Sequence, residues 1–274
     1  MQEHISANYN ENNIHKFLEI LYKEKGWDFR NYRKSSLSRR ILRRLSAYNI
    51  SSYEDYYRIL TSDPAEYERL FLSLTVKVSE FFRDPEVFGI LKDAIASMAP
   101  DIRDGLRAWC CGCAYGEEAY SLAILFSECL KPEVLKNTKI FATDIDNKAI
   151  EAARNSIYIE DVLHNLSCAI RDKYFIKKER GYKIKYSLKD LVRFGQLDIV
   201  RNPPLPRIDM LFCRNLFMYF EKELQKNVFE KINFALKLGG LLVLGKSEVL
   251  PVQFMSNYRE IKKSSRVYRK ELCK

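Results

Sequence analysis

The sequence predicts an α/β protein in which a parallel sheet with helices on both faces follows a small all-helical domain. Three observations predict it. From about residue 106 onward, short apolar runs with strand character alternate with helical runs. Residues 1–75 carry helical signals only. Where the two regions meet, Leu106–Leu122 reads as a buried strand, a turn containing Gly112 and Gly116, and a helix that opens on Glu117 and Glu118. A length of 274 residues fits one large or two modest domains, and 47% hydrophobic residues suffice for a full core.

In the helical domain, 1–75, a turn of about 100° per residue puts Leu37, Ile41, Leu42 and Leu45 on one arc. Arg39, Arg40, Arg43 and Arg44 fall on the other. Residues 29–50 also carry Arg30, Arg33 and Lys34 and no acid, so part of the net charge of +10 is a local basic patch. Such a face is either merely solvated or a recognition surface, and its arginine content favours recognition of acidic groups. Ser51–Glu54 reads as a capping box ahead of Tyr56–Leu60.

Residues 76–105 form a connector in which Asp84 caps a helix and Pro85 takes its first position. The α/β domain then spans 106–274. Its strands are Leu106–Cys110, Lys139–Thr143, Leu191–Phe194, Ile208–Cys213 and Leu241–Leu244, with Ser265–Arg269 as one more. Its helices are Glu117–Leu130, Asn147–Arg154 and Lys222–Leu238, the last closed by Gly239-Gly240. Residues 174–190 interrupt the alternation: Tyr182, Ile184 and Tyr186 alternate with Lys183 and Lys185, which predicts an inserted antiparallel excursion. Its edge is either a plain loop or a strand able to accept an added peptide strand.

No apolar stretch approaches the roughly 18 residues of a membrane span. The amino terminus is polar and lacks the apolar centre of a signal peptide, so a cytoplasmic, non-inserted protein is expected. Seven cysteines do not form a disulfide framework. Cys110 and Cys113 have the spacing of zinc ligands, but no second pair or nearby histidine completes a set. They read as buried small residues, and no metal is expected.

The glycine turn lets a ligand approach the backbone closely. Glu117 and Glu118 would repel a pyrophosphate at this helix start, whereas a cation-bearing ligand such as S-adenosylmethionine fits. The other reading is a helix whose first turn is acidic because carboxylates favour that end. Asp144, ending the second strand, is placed to bind ribose hydroxyls, with Asp146 as a helix cap. Asp198 and Ile199 follow the next strand, where they would meet an adenine. Arg214 and Asn215 end the strand Ile208–Cys213, at the edge where open α/β sheets hold ligands.

Five motifs in order, Val78–Pro85, Gly112–Ser121, Phe141–Asp146, Phe212–Phe220 and Leu238–Glu248, closely resemble the chemotaxis receptor methyltransferases of the CheR type. The resemblance covers roughly residues 15–270. It implies a Rossmann-like S-adenosylmethionine-dependent methyltransferase fold with a small N-terminal all-α domain and an inserted β-subdomain. It also implies O-methylation of glutamate side chains in chemoreceptors, with S-adenosylhomocysteine as the product. Carried over by position, the cofactor contacts are Lys77, Ser79, Arg83, Glu118, Asp144, Asp198, Ile199, Arg214 and Asn215, and Arg83 and Tyr219 lie nearest the transferred methyl group. Lys77 stands where the family usually has asparagine, and it either repels the sulfonium or turns outward. Ser79 replaces threonine, Lys246 a common histidine, and Asp198 a common asparagine.

The residues suit this chemistry on their own terms. A glutamate carboxylate, with a pKa of about 4.3, is already an anion at neutral pH and needs no general base. His4, His15 and His164 all lie outside the motifs. Arg83 suits an incoming carboxylate through its planar fork, unless it pairs with Asp84 or Glu86. The implied partner is the glutamate-rich helical bundle of a chemoreceptor, met by Arg39, Arg40, Arg43 and Arg44, with a receptor-tail peptide at the β-subdomain. Two rivals remain. Asn202-Pro-Pro-Leu205 resembles an amino-methylating motif, but it precedes its strand and lacks the final aromatic, so nucleic acid is not the expected substrate. Lys77 sustains the other, a non-catalytic domain that binds the cofactor and signals.

Overall fold

The computed structural model describes residues 11–98, 102 and 104–272; the polar amino terminus with His4 lies outside them. Contacts divide the chain into two units, one of residues up to Val76 with Tyr219–Lys226, the other of Lys77–Met218 with residues from Asn227 on.

The first unit includes the helices α1 (Glu11–Lys25), α2 (Lys34–Ala47), α3 (Tyr53–Ser62) and α4 (Pro64–Leu74). Each donates one apolar stripe to a shared core, among them Phe17, Leu18, Leu37, Ile41, Tyr56 and Leu70. The capping interaction at α3 sits one residue later than Ser51–Glu54. Ser52 is the cap, its hydroxyl accepts the Asp55 N–H at 3.0 Å, and Ser51 is left outside. Asp63 ends α3 and caps α4, with Pro64 in the first position. Tyr219–Lys226 packs here as well: the Arg33 N–H donates to the Tyr219 carbonyl at 2.8 Å, and Lys34 pairs with Glu221 at 3.0 Å.

The second unit opens with α5 (Pro85–Met98), β1 (Arg107–Cys111), α6 (Glu117–Cys129), the short α7 (Pro132–Leu135), β2 (Lys139–Asp144) and α8 (Asn147–Asn155). There follow β3 (Ile157–Tyr158), α9 (Cys168–Tyr174), β4 (Phe175–Lys178), β5 (Gly181–Ile184), α10 (Tyr186–Lys189), β6 (Val192–Gln196) and β7 (Ile208–Cys213). The chain closes with α11 (Lys222–Ala235), β8 (Leu236–Leu244), β9 (Tyr258–Glu260) and β10 (Val267–Lys270). A seven-stranded sheet runs β6-β2-β1-β7-β8-β10-β9. Its first five strands are parallel, and β10 pairs antiparallel with β8 and with β9. From β1 the chain steps outward to β2 and β6, then returns to place β7 and β8 on the other side, so the order reverses between β1 and β7. That reversal is where doubly wound sheets open a crevice.

Two sequence expectations need correction. Helix α11 stops at Ala235 and β8 begins at Leu236, so Gly239 and Gly240 lie inside a strand and do not close a helix. Leu236 pairs with Ile208, the register then shifts, and Gly239 absorbs the irregularity at φ +77°. The antiparallel excursion begins well before residue 174. It is a three-stranded sheet, β3-β5-β4, reaching back to Ile157, and Tyr186 starts α10 instead of extending the strand. With only two residues, β3 leaves no alternation to detect.

Candidate active site

The parallel strands bring their carboxyl ends to one edge, and the loops there carry most of the polar motif residues. After β1, the N–H groups of Gly112 and Cys113 donate to the Thr143 carbonyl at 2.8 and 3.0 Å. Gly116 adopts φ +91°, and a Cβ there would lie 2.9 Å from Cζ of Phe194 and 3.0 Å from Cβ of Ala153. Only glycine fits both the conformation and the space. The turn therefore holds one shape and delivers Glu117 and Glu118 to the first turn of α6.

Both carboxylates are withdrawn from water. Burial pushes the Glu117 carboxyl up to about 7, although Ser79 hydrogen-bonds it, and its Oε2 has no hydrogen-bond partner among the described residues. Glu117 faces a cavity of about 390 Å³ lined also by Lys77, Ser79, Tyr115, Ile157 and Val162. Burial likewise raises the pKa of Glu118, opposed by the Arg214 guanidinium 3.4 Å away.

At the end of β2, the Asp144 Oδ2 accepts the Ala114 N–H at 2.9 Å and its Oδ1 accepts the Asp146 N–H at 3.0 Å. Burial raises its pKa against those two bonds. Asp146 caps α8, accepting the Lys148 N–H at 2.8 Å, and its second oxygen pairs with Lys77. Lys77 thus turns inward, with 7% of its side chain exposed. The outward orientation does not occur, because a carboxylate is available beneath it.

After β7, Arg214 lies at the centre of a cluster, with 2% of its side chain exposed. It pairs with Asp84 and Glu118 and donates to the Arg83 carbonyl at 3.0 Å. Asp84 precedes Pro85 as expected of a cap, but its carboxylate goes to Arg214 and to Lys246 at 2.7 Å. Lys246 also holds Glu86 at 2.8 Å. Burial works against the Asp84 carboxylate, yet Lys246 and Arg214 outweigh it and keep its pKa below the ordinary value. The Arg83 guanidinium donates to the Val78 carbonyl at 3.0 Å and forms no ion pair among the described residues. Its charge still acts on Glu118 and Asp84.

The sequence reading assigned no role to Glu248, which organises this edge. It is buried and accepts the N–H groups of Gly245, Asn215 and Phe217 at 2.8, 2.9 and 2.7 Å. Asn215 sits in the left-handed region at φ +60°, and Glu248 holds that elbow after β7. An acid two residues beyond Lys246, inside the last motif, was the available signal. Asp198 follows β6 and accepts the Val200 N–H at 2.9 Å; Ile199 is buried.

Tyr219 belongs to the helical unit, where its ring lies under Arg40, 5.2 Å from the centroid. The four-arginine face is not uniform. Arg39 and Arg43 are exposed, whereas Arg40 donates to the Leu74 carbonyl at 2.6 Å and Arg44 grips buried Glu66 at 2.8 and 2.6 Å. A helical wheel puts all four opposite the leucines, but α4 packs beside α2 and takes two of them. Cys110, Cys113 and Cys213 are buried with thiol pKa values pushed well up, chiefly by burial for Cys110 and Cys113, and for Cys213 by a hydrogen bond with Cys111 and then burial. His164 lies 3.2 Å from Glu80, and His15 is exposed in α1.

The residues at the strand ends fit a ligand that carries positive charge. Burial raises the pKa of two carboxyl groups there, and one of them has an oxygen with no hydrogen-bond partner among the described residues.

Comparison with known proteins agrees. Residues 77–267 match the SAM-binding domain of the CheR methyltransferases, and residues 12–75 match their all-alpha domain. The chain belongs to the CheR methyltransferase family. A Pseudomonas putida protein that carries the name methyltransferase Cher3 is 30% identical over 94% of this chain and 96% of its own length. The chemotaxis protein methyltransferase of Salmonella typhimurium is 29% identical, over 85% of this chain and 82% of its own. A 104.1 kDa Rhodobacter capsulatus protein is 31% identical over 92% of this chain, which spans only 27% of that larger relative. This CheR-type protein is an S-adenosylmethionine-dependent methyltransferase, and its α/β unit is the Rossmann-like domain of that fold. Among the described residues, no helix is long and apolar enough to cross a membrane.

Proposed function

We propose that this protein methylates glutamate side chains of chemoreceptors, forming methyl esters and releasing S-adenosylhomocysteine. One observation carries the choice of a carboxylate acceptor. At the ligand-bearing edge Arg214, Lys77 and Lys246 each hold a carboxylate, whereas Arg83 has none among the described residues. A half-buried guanidinium beside Glu118 and Asp84 is a ready fork for an incoming carboxylate.

When bound, S-adenosylmethionine supplies an electrophilic methyl group on a sulfonium. The chain's own residues then bind, orient and exclude water. Glu118 and Arg214 would flank the methionyl portion, with Ser79 and Asn215 beside them. Asp144 retains free lone pairs for the ribose hydroxyls, since each of its oxygens accepts a single backbone N–H in the structure. Asp198 and Ile199 would border the adenine. Arg83 would align the acceptor oxygen with the methyl carbon; the acceptor is already anionic, so no residue need take a proton. The reaction neutralises opposite charges, and a site that excludes water favours it.

The partner follows from charge. Arg39 and Arg43, one turn apart on α2, would face the acidic helices of the receptor bundle, and the free edge of β4 would take a receptor-tail strand. The site would act at the cytoplasmic end of the receptor.

The test is transfer of labelled methyl to receptor-containing membranes, with alkali releasing the label as methanol. Arg83→Ala should lower transfer at least about 100-fold while the melting temperature without ligand stays unchanged. Near-normal transfer by that variant would overturn the role of Arg83. Cofactor binding by the parent protein with no label in receptors would overturn the substrate.

A further inference from the structure

We infer that Lys77 is a positioning residue, which fixes Asp146 and through it the ribose-binding carboxylate of Asp144. The inference rests on the assignment of Asp144 to the ribose. Three linked contacts carry it. Lys77 pairs with the Asp146 carboxylate, and the two side chains are 7% and 5% exposed. The Asp146 backbone N–H donates to Asp144 Oδ1 at 3.0 Å, and the Ala114 N–H of the glycine turn holds the other oxygen at 2.9 Å. Asp144 is therefore clamped between two backbone donors, and the position of one is set by the residue Lys77 holds.

Two residues further on, Ser79 lines the same cavity as Glu117 at the start of α6. Residues 77–79 thus lie against both sides of the glycine turn, at the end of β2 and at the beginning of α6. Removing the lysine charge leaves a buried carboxylate beside a second, half-buried carboxylate, Asp144. Asp146 must then rotate, admit water or take up a proton, and the turn that carries its backbone N–H loses the anchor that Lys77 provides.

Positioning and charge repulsion make opposite predictions for two ligands. S-adenosylmethionine and S-adenosylhomocysteine share the ribose, but only the first carries a sulfonium. If Lys77 positions Asp144, Lys77→Met weakens both by the same factor, at least about tenfold. Lys77→Arg, which keeps the charge, binds both within threefold of the parent, and Lys77→Met combined with Asp146→Asn costs less than the two single changes added together. Calorimetric titration of the full chain with each ligand, and melting without ligand, read all of these. Tighter binding of S-adenosylmethionine alone by Lys77→Met would show repulsion and overturn the inference. A lower melting temperature with unchanged affinity for both ligands would overturn it too. Should Lys77→Met fail to fold, Asp146→Asn decides: equal weakening of both ligands supports positioning, and unchanged affinity refutes it. No acceptor enters these measurements, so a failure to methylate receptors leaves the inference standing.

Discussion

Arg44 on α2 holds Glu66 on α4 through two hydrogen bonds of 2.8 and 2.6 Å, and the Glu66 side chain is fully buried. The hydroxyls of Tyr56 and Tyr48 donate to the same carboxylate at 2.6 and 2.9 Å. Burial pushes its pKa up, but these donors outweigh it and hold it down at about 2, against an ordinary 4.5. The folded state therefore prefers the anion, and the stabilisation is complete above pH 4.5 and lost as pH falls toward 2. Glu66→Gln should cost about 3 kcal/mol at pH 7 and flatten the acid limb of stability, as followed by urea denaturation of the full chain at several pH values. An acid limb as steep as the parent's would place the titrating group elsewhere.

Because Arg40 and Arg44 are committed to the interior of the helical unit, only Arg39 and Arg43 remain on the solvent side of the four. Arg39→Glu with Arg43→Glu should slow receptor methylation about tenfold at low salt and less at 0.5 M, where screening has already weakened attraction. The melting temperature should stay put. Equal rates at both salt levels would mean that this face is only solvated.

Glu117 titrates in the opposite sense from Glu66. Its folded pKa of about 7 lies above the ordinary 4.5, so the folded state keeps a proton that the unfolded chain has already lost. Stability is fully present below pH 4.5 and falls as pH rises through 7, by up to roughly 3 kcal/mol. Glu117→Gln should remove that decline between pH 5 and 7. A decline of unchanged size in denaturation curves would contradict the burial argument.

Glu248 gathers three backbone N–H groups at the elbow of Asn215 and Gly245. Glu248→Ala leaves those donors buried and unpaired, at a cost of about 3 kcal/mol. The elbow also sets Arg214 and Asn215, so S-adenosylhomocysteine affinity should fall more than tenfold in the same variant, read by calorimetry below its melting point. Intact affinity in a destabilised protein would confine Glu248 to a structural role.

The alternation after residue 106, the glycine turn and the five ordered motifs made the α/β fold and its cofactor legible in the sequence, since period and turn chemistry are local properties. Strands of two or three residues, β3 and β9, escaped notice because they are too short to show a period. The abrupt passage from α11 to β8 was hidden by two glycines that look like a helix stop. Charge placement was the least legible. A helical wheel shows which side of α2 is basic, but not that Glu66 buries itself against half of it.

The sequence by itself determined the family, the sheet and the acidic turn after β1, because these depend on residues adjacent along the chain. Only the tertiary structure decided which charges are spent on one another: Lys77 on Asp146, Arg214 on Asp84 and Glu118, and Arg44 on Glu66. Each pair joins residues from separate elements, and a pairing energy depends on distance and burial, which exist only once the chain has folded.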